Sequence, residues 1–188
     1  MAKYARDLPP GWNYNPSTWQ ERAPIIALAF GGFLVAGYLS LYQMELIGDV
    51  WEPFFGDGSL VILNSRVSHV LPIPDAALGA MGYLADAITG AIGGTKRWRT
   101  MPWIVVMFGI AVGPLGVVSI MLVIFQPVLF DAWCSLCLGS AVISLLMVGP
   151  AADEFLASCQ HLKREYVAGR SLWRTFWGLP DRIPAHTS

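Results

Sequence analysis

The sequence predicts an all-α integral membrane protein, a bundle of four membrane-spanning helices with both termini in the cytoplasm. The 188 residues are 55% hydrophobic and only 13% charged, about half the charged fraction that is usual in soluble domains. The apolar residues are concentrated in uncharged stretches at 23–44, 100–130 and 132–152. Because a helix needs ~20 apolar residues to cross a bilayer, each stretch predicts one membrane span.

The four predicted helices cover residues 23–46, 73–94, 101–127 and 131–152. The first is too long and begins too late to be a cleaved signal peptide. The second, "IPDAALGAMGYLADAITGAIGG", carries Asp75 and Asp86. We include it as a span because its neighbours are spans, and because an odd number of spans would place the two basic tails on opposite sides of the membrane.

Basic residues predict the orientation. They lie before the first helix, between the second and third helices, and in the tail, namely Lys3, Arg6, Arg22, Lys96, Arg97, Arg99, Lys163, Arg164, Arg170, Arg174 and Arg182. Since cytoplasmic loops carry the excess of Lys and Arg, we expect a cytoplasmic segment at 1–22, a transmembrane domain at 23–152 and a cytoplasmic tail at 153–188. That tail begins as a continuation of the fourth helix. The 47–72 loop, with Arg66 as its single basic residue, then faces outward.

The charge balance also bears on partners. The net charge is −1, so the sequence excludes nucleic acid as an expected partner, because such proteins present a basic surface. The lipid bilayer is the first partner that the composition predicts.

Two cysteines in "DAWCSLCLGS" are the strongest chemical signal. Cys134 and Cys137 lie three residues apart in the first turn of the fourth predicted helix. Unpaired backbone N–H groups and the helix dipole favour a thiolate there, and disulfides persist on the outer side of a membrane. We therefore predict a redox-active dithiol. The alternative is a structural pair that stays permanently closed or permanently reduced.

Other cysteine chemistry fits less well. Leu138 follows Cys137, so the CxxCH pattern of haem attachment is missing. Zinc would need two further ligands, of which His69 could supply one, so no metal site is predicted. Cys159 lies ~33 Å from Cys137 along a continuous helix, on the cytoplasmic side, and is interpreted as a packed or free thiol.

The second predicted helix carries a stripe of small and acidic residues. Its members are Asp75, Gly79, Gly82, Asp86, Gly90 and Gly93, at steps of three and four, which places them on one face. Small residues at this spacing let helices approach closely in lipid, so we expect the face to point into the bundle. An intramembrane Asp86 is a functional candidate, or it caps a packing contact or reaches toward Lys96. Asp75 is either a first-turn carboxylate favoured by the dipole or a neighbour of the cysteine site.

Together, the four helices, the outward CxxC and the stretches "NSRVS", "PIPDAALG" and "WCSLCL" resemble the vitamin K epoxide reductase family over roughly residues 24–150. The resemblance implies a four-helix bundle around a quinone, either ubiquinone or menaquinone, in the cell inner membrane. The CxxC and the 47–72 loop would lie on the periplasmic side.

The resemblance also implies roles for individual residues. Cys134 would exchange with incoming thiols and Cys137, deeper in the membrane, would face the quinone. Asp75, four residues before Gly79, occupies the place where the family puts a polar side chain toward a quinone carbonyl. A protonated Asp75 would donate a hydrogen bond, whereas an ionised one would repel a reduced quinone anion.

One departure from the family pattern concerns its outer-loop cysteine pair. The two positions are occupied by Gly56 and Asn64, so the internal thiol relay is missing. The sequence leaves two functions open. The first is a thiol–disulfide oxidoreductase that passes electrons from a periplasmic dithiol protein through Cys134 and Cys137 to a membrane quinone. The alternative is a catalytically inactive structural or assembly subunit that contacts other subunits of a larger membrane complex.

Overall fold

A computed structural model describes residues 8–65 and 72–179, and every regular element in these ranges is a helix. The helices are α1 (Trp19–Gln43), α2 (Gly58–Leu63), α3 (Asp75–Ala91), α4 (Arg97–Thr100), α5 (Pro102–Phe130), α6 (Ser135–Val167) and α7 (Leu172–Phe176). Arg66 and His69 lie outside the described residues, as do Lys3, Arg6 and Arg182 of the charge argument.

Three of these helices are long and apolar enough to cross a membrane, namely α1, α5 and α6. The prediction of an all-helical membrane protein is therefore confirmed at this level. Helix α3 has 17 residues, which corresponds to ~25 Å at 1.5 Å per residue, somewhat less than a hydrocarbon core of ~30 Å. That α3 crosses the membrane as a fourth span remains a prediction.

The helix boundaries differ from the predicted ones at α1, which begins at Trp19 rather than at residue 23 and so includes Arg22, and around the cysteines. The fourth predicted helix began at residue 131, whereas α6 begins at Ser135. The physical reason is Asp131, whose φ of 46° is left-handed and ends α5 at Phe130. Helix α6 then runs as far as Val167, so the continuation into the tail is helical, as expected.

The four longest helices pack into one bundle. Helix α1 packs most extensively on α3, α5 packs on α6, and α1–α6 and α3–α5 contacts close the arrangement. The central layer contains Tyr83, Phe108 and Met147, each about 1% exposed, with small residues of α1 and α6 between them. The outer faces of the helices carry exposed Leu, Ile, Val and Phe side chains, as a lipid-facing surface requires.

One end of the bundle, called here the arginine end, is held by two buried guanidinium groups. Arg22 donates hydrogen bonds to the carbonyls of Gly90, Ile92 and Gly93. Arg97 also donates to the carbonyl of Ile92. Because the last carbonyls of a helix lack partners within it, these bonds cap α3.

A single carboxylate balances the two guanidinium groups. Glu154 of α6 forms an ion pair with Arg97, and both side chains are fully buried. The pair fastens α6 to the short helix α4. The sequence analysis did not single out Glu154, since nothing in its local pattern shows that it lies inside the bundle.

The opposite end, called here the cysteine end, is closed by residues 44–65, which we name the covering segment. This segment contains α2 and packs through Val50 and Leu63 on Leu39 of α1. Gly58 lies directly against the backbone carbonyl of Trp133, so close that a Cβ atom there would overlap that oxygen. The covering segment therefore lies over the start of α6.

Candidate functional site

The two cysteines of the CxxC sequence are joined in a disulfide at the start of α6. Cys134 is the N-cap residue of that helix, and its Sγ accepts a hydrogen bond from the backbone N–H of Cys137 at 3.1 Å. An N-cap acceptor satisfies one of the N–H groups that the first turn leaves unpaired. The disulfide is thus held on the helix end itself.

Helix α5 positions the disulfide through an amide. The side-chain oxygen of Gln126 accepts the backbone N–H of Cys134 at 2.9 Å, and Gln126 is only 2% exposed. The backbone N–H of Ala132 donates to the backbone carbonyl of Gln126. Gln126 therefore ties the turn between α5 and α6 to the end of α5.

The covering segment contacts the same turn through Glu52. Its carboxylate accepts the backbone N–H of Ser135 at 2.9 Å and also the hydroxyl groups of Ser135 and Ser59. The N–H groups of Phe54 and Phe55 point at the same carboxylate. Burial alone would raise the pKa of Glu52, but the hydrogen bonds from Ser135 and Ser59 outweigh it and lower the pKa to about 2.

The two sulfur atoms face different surroundings. Cys134 is 0% exposed, beneath the covering segment and beside Trp133, whose ring packs against that of Phe55. Cys137 is half-buried and reaches the wall of a cavity inside the bundle. Cys134 therefore has no exposed surface in this disulfide form, and its exchange with incoming thiols stays a prediction.

The cavity has a volume of about 550 Å³, within the range of ~300–1,000 Å³ that is usual for small-molecule sites. It lies between α1, α3, α5 and α6 and is closed at the cysteine end by α2. Most of its lining is apolar, including Ala36, Leu39, Ile62, Leu63, Leu78, Ala111, Pro114, Leu115, Val118, Leu122, Phe125, Phe130 and Ala141.

A cluster of hydroxyl groups forms part of the wall on the α3–α6 side. The hydroxyl of Tyr83 donates to the backbone carbonyl of Ser140 at 2.6 Å and lies 2.5 Å from the hydroxyl of Ser144. Ser119 of α5 donates to Ser144 at 3.0 Å. Of these residues, Tyr83, Ser119 and Ser140 reach the cavity. The cluster therefore offers polar groups to whatever occupies a largely apolar space.

Two further residues that the sequence analysis singled out line the same cavity. Asp75 begins α3, and its Oδ1 accepts hydrogen bonds from Gln43 Nε2 at 2.5 Å and from the backbone N–H of Ala76 at 2.8 Å. Gly79, one turn along, also lies in the wall. The structure thus brings Asp75, Gly79 and Cys137 together around one space.

Asp86 lies elsewhere. It is 1% exposed, and neither oxygen of its carboxyl group has a hydrogen-bond partner among the described residues. It is not among the residues that line the cavity. The expected contact with Lys96 is not formed, because neither carboxyl oxygen of Asp86 accepts a hydrogen bond from it. The adjacent residue of the basic loop, Arg97, pairs with Glu154 instead.

The positions of the missing loop cysteines lie on the surface of the covering segment. Gly56 is exposed with a φ of 58°, and the exposed Asn64 donates from its amide to the hydroxyl of Tyr42 at 3.0 Å. The covering segment is held by these hydrogen bonds, by Glu52 and by apolar packing. His69, the remaining zinc candidate, lies outside the described residues.

Sequence reasoning missed four contributors to the site, namely Glu52, Tyr83, Gln126 and Ser140. A signal was present for two of them. Gln126 is an uncharged polar residue near the end of a long apolar stretch, and Tyr83 follows Gly79 by four residues on the same helix face. Glu52 gave no signal, since a single Glu in a loop is typical of a solvated surface.

The fold and the site define a class: a helical membrane protein with a CxxC disulfide that lies between a covering segment and a cavity inside the helix bundle. A family model, described as the vitamin K epoxide reductase family, matches residues 23–151. The chain belongs to this family, as its sequence motifs predicted. Membership indicates, in general terms, a membrane thiol–disulfide oxidoreductase. A comparison with individual curated proteins gave no match.

Proposed function

We propose that this protein is a quinone-linked thiol–disulfide oxidoreductase. Electrons from an external dithiol would enter at Cys134 and leave from Cys137 to a quinone in the membrane. The observation that carries the proposal is the position of Cys137, which belongs to a disulfide and lines a cavity of about 550 Å³ inside the bundle. The family match supports the same chemistry.

The cavity fits a quinone by size and by the chemistry of its wall. A quinone ring is flat and apolar and carries two carbonyl oxygens that accept hydrogen bonds. Leu115, Phe125 and their neighbours would bury the ring, while the hydroxyl cluster at Tyr83 and Ser140 supplies polar contacts. When bound, ubiquinone or menaquinone supplies an acceptor for two electrons and two protons. Asp75 and Gly79 would complete the wall on the α3 side.

The thiol half of the reaction balances within the chain and its partner. A thiolate of the incoming dithiol attacks Cys134, the Cys134–Cys137 bond breaks, and a mixed disulfide forms. The partner's second thiol then attacks that mixed disulfide, which releases an oxidised partner and leaves Cys134 and Cys137 reduced. Two electrons and two protons have then entered the pair. Because Gly56 and Asn64 replace the family's loop cysteines, the partner must meet Cys134 directly.

Cys134 can be reached only if the covering segment moves. In the disulfide form it is 0% exposed, so the partner, which we propose to be a periplasmic dithiol protein, has to displace the segment. The contacts that close it are hydrogen bonds from Ser59 and Ser135 to Glu52 and the packing of Phe55 on Trp133.

The topology is part of the proposal. We propose that α3 is a fourth span and that residues 1–22 and 153–188 are cytoplasmic on either side of a transmembrane domain at 23–152. The supporting observation is that buried Arg22 and Arg97 lie together at the arginine end, away from the cysteines. In the proposed orientation the disulfide would lie on the periplasmic side of the inner membrane.

The test replaces Cys137 with Ala, which leaves Cys134 as a lone thiol, so the transfer step is followed in reverse with the oxidised partner. The Cys134 thiolate attacks the partner's disulfide, one partner sulfur leaves as a thiolate, and without Cys137 the mixed disulfide on Cys134 is expected to accumulate, visible as a reducible adduct on non-reducing gels and by mass spectrometry. A Cys159→Ser form carrying the same Cys137→Ala change is the control and should give the same adduct. Without an adduct on Cys134 in either form, the enzyme proposal fails.

The second candidate is a structural or assembly subunit without catalysis. Two observations favour it, the complete burial of Cys134 and the loss of the loop cysteines at Gly56 and Asn64. A Cys134→Ser/Cys137→Ser double variant separates the candidates. If cells that carry it keep the protein's full biological role, the subunit function stands; if that role is lost although the variant is folded and inserted, the oxidoreductase stands.

A further inference from the structure

The start of α6 holds two acceptors side by side, a carboxylate and a sulfur. Glu52 accepts the backbone N–H of Ser135 at 2.9 Å, and Cys134 Sγ accepts the backbone N–H of Cys137 at 3.1 Å. Both donors belong to the first turn of a 33-residue helix, whose free N–H groups and dipole attract negative charge. The carboxylate and the sulfur therefore share the same source of stabilisation.

The charge at this helix end changes with the redox state. In the disulfide both sulfurs are neutral, and Glu52 is the only negative group on the first turn. Reduction breaks the S–S bond and adds two electrons and two protons to give two thiols. Loss of one thiol proton from Cys134 then places a second negative charge on the same helix turn that Glu52 contacts, and like charges placed in this way disfavour each other.

Nothing basic in the described part of this end offsets Glu52. Within residues 38–65, 72–79 and 122–141, the charged and titratable side chains of the cysteine end are all acidic or phenolic. They are Tyr38, Tyr42, Glu45, Asp49, Glu52, Asp57, Asp75 and Asp131. Glu52 also stays ionised across the physiological range, since hydrogen bonds from Ser135 and Ser59 outweigh its burial and lower its pKa to about 2.

We propose that Glu52 is a positioning residue that sets the redox balance of the cysteine pair: its fixed charge on the first turn of α6 disfavours a Cys134 thiolate and so favours the disulfide. The inference rests on the proposed function and deepens it, because a pair that favours its disulfide gives up electrons more readily to an acceptor in the cavity. In the same contacts Glu52 holds the covering segment over Cys134.

The test measures the equilibrium of the Cys134–Cys137 pair with mixtures of reduced and oxidised glutathione, on the full-length protein in detergent, between pH 6 and pH 9. Glu52→Gln keeps an acceptor oxygen and removes the charge. At pH 9 we expect its equilibrium to shift toward the dithiol by about fivefold to tenfold relative to the unmodified protein. At pH 6, where less thiolate forms, the difference should largely disappear.

Two further variants separate charge from structure. Asp57→Asn removes one negative charge from the same segment and leaves the Glu52 contacts in place, and Ser135→Ala removes one hydrogen bond to Glu52 and leaves the charge. Neither should show the pH-dependent shift. The role of Glu52 would be overturned by any of three results for the dithiol–disulfide equilibrium. These are no shift in Glu52→Gln, a shift that does not depend on pH, and a shift that Asp57→Asn equals.

The outcome also distinguishes this proposal from the proposed function. If the unmodified pair does not exchange with glutathione at any ratio, even after the covering segment has been loosened by Gly58→Ala, the oxidoreductase proposal fails and Glu52 has no balance to set. If the unmodified pair titrates and only the Glu52 shift is missing, the oxidoreductase proposal survives and the Glu52 proposal does not.

Discussion

Cys134 and Cys137 are bonded to each other but face opposite environments: Cys134 is sealed under the covering segment, while Cys137 lines the cavity. In the proposed reaction this disulfide would take electrons at Cys134 and pass them on from Cys137. For a partner to reach Cys134, the covering segment has to move.

The close approach of Gly58 to the backbone carbonyl of Trp133 predicts that the covering segment needs this glycine to pack over the start of α6. A Cβ atom there would overlap the oxygen, so Gly58→Ala should destabilise the closed form as overpacking does. We expect a membrane-impermeant phosphine to reduce the disulfide of this variant at least about fivefold faster than that of the unmodified protein. Gly48→Ala, where a Cβ meets nothing within 4 Å, is the matched control; equal rates in both variants would contradict a cover that Gly58 closes.

Tyr83 is expected to matter for binding in the cavity. Its hydroxyl bonds to Ser140 in the wall and to Ser144 behind it, and a hydrogen bond in such a position contributes ~0.5–1.5 kcal/mol. Tyr83→Phe should therefore raise the KM for a short-chain ubiquinone about twofold to tenfold and change kcat little. Tyr166→Phe, on a side chain that is 65% exposed, should leave both constants unchanged. A loss in kcat alone would argue against a binding role.

The buried ion pair between Arg97 and Glu154 is expected to dominate the stability of the arginine end. Glu154→Gln leaves the guanidinium groups of Arg22 and Arg97 buried with no carboxylate between them, which typically costs about 3–5 kcal/mol of unfolding free energy. Glu165→Gln removes a pairing on the same helix with Arg170, which is 55% exposed, and should cost less than about 1 kcal/mol. Denaturant or SDS titration of the purified protein measures both, and similar losses would contradict the buried pair.

Glu52 predicts how stability depends on pH. Its pKa in the folded protein is lowered from 4.5 to about 2, since hydrogen bonds from Ser135 and Ser59 outweigh the effect of burial. A lowered pKa means that this contribution is complete above pH 4.5 and is lost as the pH falls toward about 2. As the pH falls from 4.5 to about 2, the unfolding temperature of Glu52→Gln should therefore fall less steeply than that of the unmodified protein. Identical acid dependence in both proteins would contradict the stabilising role of the carboxylate.

Much of this architecture could be predicted from the sequence. Uncharged stretches predicted α1, α5 and α6 because length and apolarity alone decide whether a helix fits a bilayer. The cysteine spacing and the motifs around it predicted the family, which the comparison confirmed. The start of α6 was placed four residues early, since the left-handed turn at Asp131 leaves no clear mark in an apolar sequence.

The remaining features depend on contacts between distant parts of the chain. Glu52 and Ser135 are 83 residues apart, and Arg97 and Glu154 are 57 residues apart, so neither pairing follows from local periodicity. The burial of Cys134 has the same origin, because it results from where the covering segment lies. Asp86 was expected inside the bundle and is buried there, but the sequence could not show that it would lie away from the cavity.

Single-turnover oxidation of the reduced protein shows whether Cys137 delivers electrons to a quinone in the cavity. The protein is reduced, freed of reductant without oxygen, and mixed with ubiquinone or menaquinone in lipid nanodiscs while the absorbance of the quinone is followed. We expect that one quinone is reduced for each Cys134–Cys137 disulfide formed, and that Cys137→Ala abolishes this reduction while Cys159→Ser does not. If the disulfide re-forms with no loss of oxidised quinone, or if Cys137→Ala reduces quinone as fast as the unmodified protein, the claim is contradicted.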